Sequence, residues 1–234
     1  MYQHQYSTNA HKGTGAAPVV AEMCYDNDIL TVGVITTPFN FEGRHRKRTA
    51  HEGIERLSKV VDSMIVVPNQ NLLQLVDEKT SLTESFALAD NILLDGVRSI
   101  TDLMTRPGLI NVDFADVCAV MHGMGNAIIG TGISSGEDRA EKAATAALRN
   151  PLLGDNLNVS TAKGLLVNIT GGRDLSLHEF DKASKIITNV IDEEYANIIF
   201  GTAYDDTSEG TIRVSVVATG IDDASTKNPP PTSS

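Results

Sequence analysis

Apolar and polar positions fall in short blocks along this chain, and the period changes from block to block. Ile29–Ile35 (ILTVGVI) is a continuous apolar run of strand length, suited to a strand buried on both faces. Arg46–Val61 places its apolar residues at helical spacing, and Met64–Val67 (MIVV) returns to a buried strand. Strand, helix and strand in that order predict an α/β layer with a parallel sheet.

The clearest local signal follows. Ser81-Leu82-Thr83-Glu84 fits a capping box, with Ser81 accepting from the Glu84 amide while Glu84 reaches back. Apolar residues then recur at Leu82, Phe86, Ala89, Leu93, Val97, Ile100 and Met104, three or four apart, as one helical face. Arg106-Pro107-Gly108 ends it, because proline disfavours helical geometry in the residue before it. A helix of that length spans roughly 30 Å or more and is long enough to separate two lobes.

Beyond it the pattern predicts a strand at Asp116–Met121 (DVCAVM), a helix at Glu137–Arg149, a strand at Gly164–Thr170 and a helix at His178–Glu194. Two further strands, Asn197–Tyr204 and Thr211–Thr219, flank the polar turn Asp205–Gly210, which predicts a hairpin. Residues 1–12 are polar and show no period. Asp222–Ser234 (DDASTKNPPPTSS) has almost nothing to bury and reads as a tail or linker start.

Composition narrows the function. The 234 residues carry 19 Lys+Arg against 30 Asp+Glu, a net charge of −11, which repels polyanions and argues against a nucleic-acid surface. The two cysteines, Cys24 and Cys118, have no second ligand at metal-site spacing and form no disulfide framework, which suits a reducing cytosol. No apolar run reaches membrane-spanning length, so no direct membrane insertion is expected.

Several segments carry candidate chemistry. Gly13-Thr14-Gly15 precedes a stretch in which Pro18 suits a first helical turn, an arrangement that lets backbone amides approach an anion. A Walker loop and a dinucleotide fingerprint are both absent. Phe39–Arg48 follows the first strand, beyond the strand ends where α/β sheets bind ligands. An arginine there can fork onto a phosphate and Glu42 can accept from a sugar hydroxyl, or the segment is a solvated basic turn. Asn111, Asp113 and Asp116 lie in a loop after the long helix. Two carboxylates so spaced can orient and polarise water, or simply cap or solvate the loop. Asn69 at a strand end and Asp90, one turn after Phe86, are individually ordinary, and Phe86 alone reads as core.

Taken together the segments resemble the FtsZ branch of the tubulin/FtsZ GTPase family. GTGAAPVVAE at 13–22 is similar to the end of its glycine signature, TTPFNFEGRHR at 36–46 to its ribose loop, and RPGLINVDFADV at 106–117 to its synergy loop. SGEDRA at 135–140, LLVNITGG at 165–172 and RVSVVATGID at 213–222 resemble its C-terminal domain. The resemblance implies an incomplete Rossmann-like GTPase domain over 13–106 that includes the long central helix. An α+β C-terminal domain over 107–221 follows, with a mostly parallel sheet and a hairpin. It implies Gly13, Thr14 and Gly15 at the phosphates, Glu42 and Arg46 at the ribose and phosphate side, Asn69 on the nucleotide, and Phe86 and Asp90 at guanine.

By the same resemblance Asn111, Asp113 and Asp116 would act on the GTP of the next subunit, with magnesium bound, in a head-to-tail homopolymer that forms the Z-ring at the division site in the cytoplasm. Membrane tethers and other division proteins would be partners of the intact protein. The family's glycine signature is longer than the segment here, where Asn9-Ala10-His11-Lys12 stand in place of its first half, and its preceding strands are missing. That predicts a fragment whose first two strands lack neighbours. The other reading is a non-hydrolysing module that caps or modulates filaments of the family.

Overall fold

The computed structural model describes residues 10–76, 80–153, 161–191 and 196–221. Residues 1–9 of the lead-in, the end of the helix expected to reach Glu194 and the tail from Asp222 lie outside them.

Helix α1 (Ala10–Tyr25) and strand β1 (Val32–Thr37) come first, then a 3-10 turn at Asn40–Glu42 and helix α2 (Arg44–Leu57). Strand β2 (Ser63–Pro68) leads into the short α3 (Asn69–Leu72). The long α4 (Leu82–Thr105) follows, then α5 (Phe114–Met121) and β3 (Gly125–Ser135). Helix α6 (Arg139–Leu148), β4 (Gly164–Gly171), α7 (Leu177–Thr188), β5 (Asn197–Tyr204) and β6 (Thr211–Thr219) complete the fold.

The six strands form one mixed sheet in the order β1-β2-β3-β6-β4-β5. The pairs β1–β2, β2–β3 and β4–β5 are parallel, and β6 runs antiparallel between β3 and β4. Strand β2 therefore has a neighbour on each side, contrary to the expectation that both early strands would lack them. The expected hairpin of β5 with β6 does not form either. The Asp205–Gly210 turn carries the chain past β4, and the βαβ unit β4-α7-β5 takes β5 to the outer edge.

Alternation along the strands divides the core between the two sheet faces. Leu165, Val167 and Ile169 of β4, with Ile212, Val214, Val216 and Ala218 of β6, pack against α6 and α7. Leu166 and Val217 turn the other way and join Ile65, Val67, Ala127 and Ile129, packed with residues of α4 and α5. On the α1–α2 side, Ala21, Leu57 and Met64 close a smaller cluster.

Two elements differ from expectation for identifiable reasons. DVCAVM is helix α5, not a strand. Asp113 caps its start, and Val117, Val120 and Met121 are buried at spacings of three and four. Strand β3, GNAIIGTGISS, has glycine where a branched residue would have signalled it. Those glycines make room for α6: a Cβ on Gly132 would meet the Ala143 carbonyl at 2.1 Å, and one on Gly130 the Ala147 carbonyl at 2.4 Å. Ala140, Ala143, Ala144 and Ala147 supply the matching smooth face.

Helix α4 has the expected capping box: the Glu84 amide donates to Ser81 Oγ, and the Ser81 amide donates to Glu84 at 2.7 Å. Its buried face is smaller-bodied than the apolar stripe suggests, with Ser85, Ala89, Ser99, Ile100 and Leu103 inward and Phe86 partly exposed. The small residues let the helix lie close to the sheet, where Asn168 of β4 donates to the Ser99 carbonyl and Arg213 of β6 pairs with Asp95 at 3.3 Å.

Candidate functional site

The C-terminal ends of β1 and β2 lie side by side, with Thr37 opposite Pro68, so the segments leaving them share one rim of the sheet. From β1 the chain enters the 3-10 turn, which is closed by its own acid: Glu42 Oε1 accepts from the Phe39 amide at 2.8 Å. The other oxygen of Glu42 pairs with Arg46 Nη1 at 2.5 Å. Glu42 is mostly covered, and Arg46 stays largely in solvent with its remaining donors free to turn outward. From β2 the chain enters α3 at Asn69, and Gln70 accepts from the Asn40 amide at 3.0 Å, which ties the two segments together.

Asn69 is 6% exposed and its Oδ1 has no hydrogen-bond partner. A buried carbonyl oxygen without a donor costs about 1–3 kcal/mol, so its retention marks a place where a donor is missing. The aromatic residues around the 3-10 turn and on α4 form a small stack. Phe39, fully buried, lies parallel to Phe41 at 5.0 Å and edge-on to Phe86 at 5.5 Å. Phe41 and Phe86 keep open faces, at 59% and 38% exposure. Asp90 is exposed one helical turn beyond Phe86 on α4. Glu42, Arg46 and Asn69 lie on the two segments that leave this rim, Phe86 of α4 reaches it through its contact with Phe39, and Asp90 follows one helical turn farther along α4.

Gly13, Thr14 and Gly15 are not in a loop ahead of a helix, as their spacing predicts. Helix α1 begins at Ala10, so all three are within it, and Pro18 is interior to it instead of in its first turn. A Cβ on Gly15 would meet nothing within 4 Å. The first turn of α1 is 10–13, and Ala10, His11 and Lys12 of the expected lead-in are helical.

The second group is at the far end of α4. Asp113 and Asp116 form a capping box at the start of α5: Asp113 Oδ1 accepts from the Asp116 amide at 2.9 Å, and Asp116 Oδ2 accepts from the Asp113 amide at 3.2 Å. Both side chains are exposed, as is Asn111, whose Oδ1 accepts from the Gly108 amide at 3.3 Å. Each aspartate uses one oxygen on backbone and presents the other outward. From Asp90 to Thr105 the helix advances about 22 Å at 1.5 Å per residue. The two groups also lie toward opposite edges of the sheet, the first on the segments leaving β1 and β2 and the second beside the loop fastened to β5.

Sequence patterns miss what fixes the acidic loop. Pro107 and Ile110 carbonyls accept from the Tyr204 and Thr202 amides of edge strand β5, at 3.0 and 2.9 Å, and the Ile110 amide donates to Thr202 Oγ1 at 2.9 Å. Arg106 pairs with Asp102 at 3.0 Å and approaches Asp205 at 4.0 Å. The Asn69-Gln70-Asn71 run was the available signal for the first group, since polar residues directly after a buried strand stand where ligands bind. No comparable signal marks Thr202, which lies in an ordinary strand.

Elsewhere Arg139, 8% exposed, is gripped by Glu179 at 2.6 and 3.1 Å and by Asp174 at 2.6 Å. The Arg139 hydrogen bonds hold the Glu179 carboxyl down at about 2 and lower Asp174 as well. This network joins α6 to α7 and is remote in sequence from both groups. Among the described residues, no group of three or more His, Cys, Asp or Glu side chains could hold a metal ion, and no helix is long and apolar enough to cross a membrane.

Comparison with known proteins places these features in a common frame. The model for the GTPase domain of the tubulin/FtsZ family matches residues 8–77, and that for the C-terminal domain of the FtsZ family matches residues 125–222. Cell division protein FtsZ of Caulobacter vibrioides is 57% identical over 213 residues, which are 91% of this chain and 42% of the relative. That of Bartonella bacilliformis is 58% identical over 210 residues, 90% of this chain and 35% of the relative. The chain thus spans less than half the length of these relatives. An FtsZ dimer structure from M. jannaschii superposes with a TM-score of 0.84 at 42% identity, covering 89% of this chain and 60% of that one. CetZ1 of Haloferax volcanii, at 18% identity and a TM-score of 0.67, shares the fold.

Proposed function

The chain belongs to the tubulin/FtsZ family, and on that premise we propose that it is part of a polymerising GTPase of bacterial cell division whose hydrolytic site is divided between neighbouring subunits. The observation that carries this reading is the separation of the two groups by the length of α4. A nucleotide held at the β1–β2 rim is out of reach of the same molecule's Asp113 and Asp116. A second copy stacked head to tail brings its acidic loop to that rim. Such a contact is heterologous and propagates as a filament.

At the rim, Asn69 Oδ1 is an acceptor awaiting a donor, and the purine or sugar of a nucleotide offers one. Phe86 would stack on guanine through its open face, and Asp90 would accept from the two nitrogen donors of the guanine edge. Arg46 and Glu42, already paired, would face the phosphate and ribose. The glycines of α1 contribute least to this reading, because within a helix their amides are largely committed to backbone bonds; only the free first-turn amides remain for a phosphate.

Across the junction Asp113 and Asp116 would accept hydrogen bonds from a water and align it with the γ-phosphate, with Asn111 as a further polar contact. General-base assistance of this kind contributes on the order of a hundredfold or more. Magnesium bound with the nucleotide would neutralise charge on the phosphates. The assembly would sit at the division site in the cytoplasm, held there by tethering proteins.

The test uses the chain joined to the N-terminal part of its Caulobacter vibrioides relative. Asp113→Ala and Asp116→Ala should each lower GTP turnover about a hundredfold or more while GTP affinity, read by equilibrium titration, stays within twofold. Asn69→Ala and Asp90→Ala should weaken GTP binding itself. Turnover at the unmodified rate in both acidic-loop variants removes the divided-site reading.

A further inference from the structure

Thr202 is 1% exposed on edge strand β5, yet its hydroxyl is not spent on its own sheet. Oγ1 accepts from the Ile110 amide at 2.9 Å, and the Thr202 amide donates to the Ile110 carbonyl at the same distance. One residue of the strand thus holds both backbone groups of one residue of the acidic loop. In an ordinary bridge the Ile110 amide would take a strand carbonyl. Here the Thr202 carbonyl is packed against Gly108, where a Cβ would fall 1.9 Å from it, and the hydroxyl stands in as acceptor.

The fastening is local and one-sided. Pro107 is held by Tyr204, Ile110 by Thr202, and Val112 is buried where Gly201 leaves room, a Cβ there meeting Val112 at 2.5 Å. The next residue is Asp113, which caps α5 and shares its box with Asp116. Any slip of Ile110 along β5 is therefore passed directly to the two carboxylates.

We propose that Thr202 is a positioning residue for the acidic loop, its hydroxyl setting the height at which Asp113 and Asp116 meet the neighbouring subunit's nucleotide. This rests on the divided-site reading for its catalytic consequence and on the Ile110 contact alone for its structural one. Thr202→Val keeps the shape and removes the acceptor, leaving the Ile110 amide without a partner. Thr202→Ser keeps the acceptor.

Two measurements test it. In the 234-residue chain, Thr202→Val should speed amide hydrogen exchange at Ile110 about tenfold, with Thr202→Ser near the unmodified rate. In the chain joined to the N-terminal part of its Caulobacter vibrioides relative, Thr202→Val should lower turnover at saturating GTP about tenfold with the half-saturating GTP concentration unchanged, and Thr202→Ser should stay within twofold. Should the valine variant fail to fold, Thr202→Ala, which cannot overpack, should show the same two signatures. Unmodified turnover in a folded Thr202→Val or Thr202→Ala protein overturns the proposal. So does a loss shared equally by the serine variant. Asp113→Ala in the same series separates the two ideas. If it leaves turnover intact, the divided site fails, whereas if it abolishes turnover and Thr202→Val does not lower it, only the positioning role fails.

Discussion

Glu179 has two jobs in its few ångströms of space, closing the α7 capping box with Ser176 and gripping Arg139. Its carboxyl is held at about 2 against an ordinary 4.5. A depressed carboxylate adds stability that is fully present above the unfolded value and fades as pH falls through the folded one. Urea midpoints should therefore drop between about pH 4.5 and pH 2, and Glu179→Gln should flatten part of that drop. Arg139→Ala strips the partly covered Glu179 and the exposed Asp174 of their partner and should cost about 1–3 kcal/mol at neutral pH, read by the same denaturation. At the rim, Asn69→Leu should leave the chain's own stability level or raised, since it removes an unpaired buried oxygen, while it weakens nucleotide binding. A large loss of stability would mean that the Asn69 side chain serves the fold instead.

Among the elements, the ones legible in the sequence are those whose own residues decide them. Ser81 and Glu84 announce α4, and the apolar runs of β4, β5 and β6 fix their extents closely. Where a neighbour decides, the pattern fails. Strand β3 is written in glycines because α6 lies against it, and DVCAVM has strand-like composition but is helical because Asp113 caps it. The partner of β6 depends on where α7 delivers β5, which no local pattern encodes. The site divides in the same way. The parallel pairing of β1 with β2 brings the segment carrying Glu42 and Arg46 beside the one that begins at Asn69, and α4 sets Phe86 against Phe39. Gly13-Thr14-Gly15, read as a loop, is wound into α1. At this scale Gly132→Ala should cost about 1–3 kcal/mol by driving α6 from β3, measured by thermal or urea unfolding. Stability within 0.5 kcal/mol of the unmodified chain would contradict so close an approach.

For the whole molecule, one continuous sheet carries the rim proposed to hold a nucleotide at the β1–β2 end and an acidic loop fastened to β5 at the other, with α4 between them. On the divided-site proposal neither end would act alone, and turnover would be coupled to assembly. The most direct measurement is a mixing experiment with two variants of the chain joined to the N-terminal part of its Caulobacter vibrioides relative. Asp116→Ala keeps a working rim and lacks the acidic loop, and Asp90→Ala lacks the rim and keeps the loop. Each alone should be nearly inactive, and an equimolar mixture should recover turnover, because junctions pairing the good rim with the good loop then exist. A mixture no more active than the sum of its parts, under conditions where both variants co-assemble, would contradict the account.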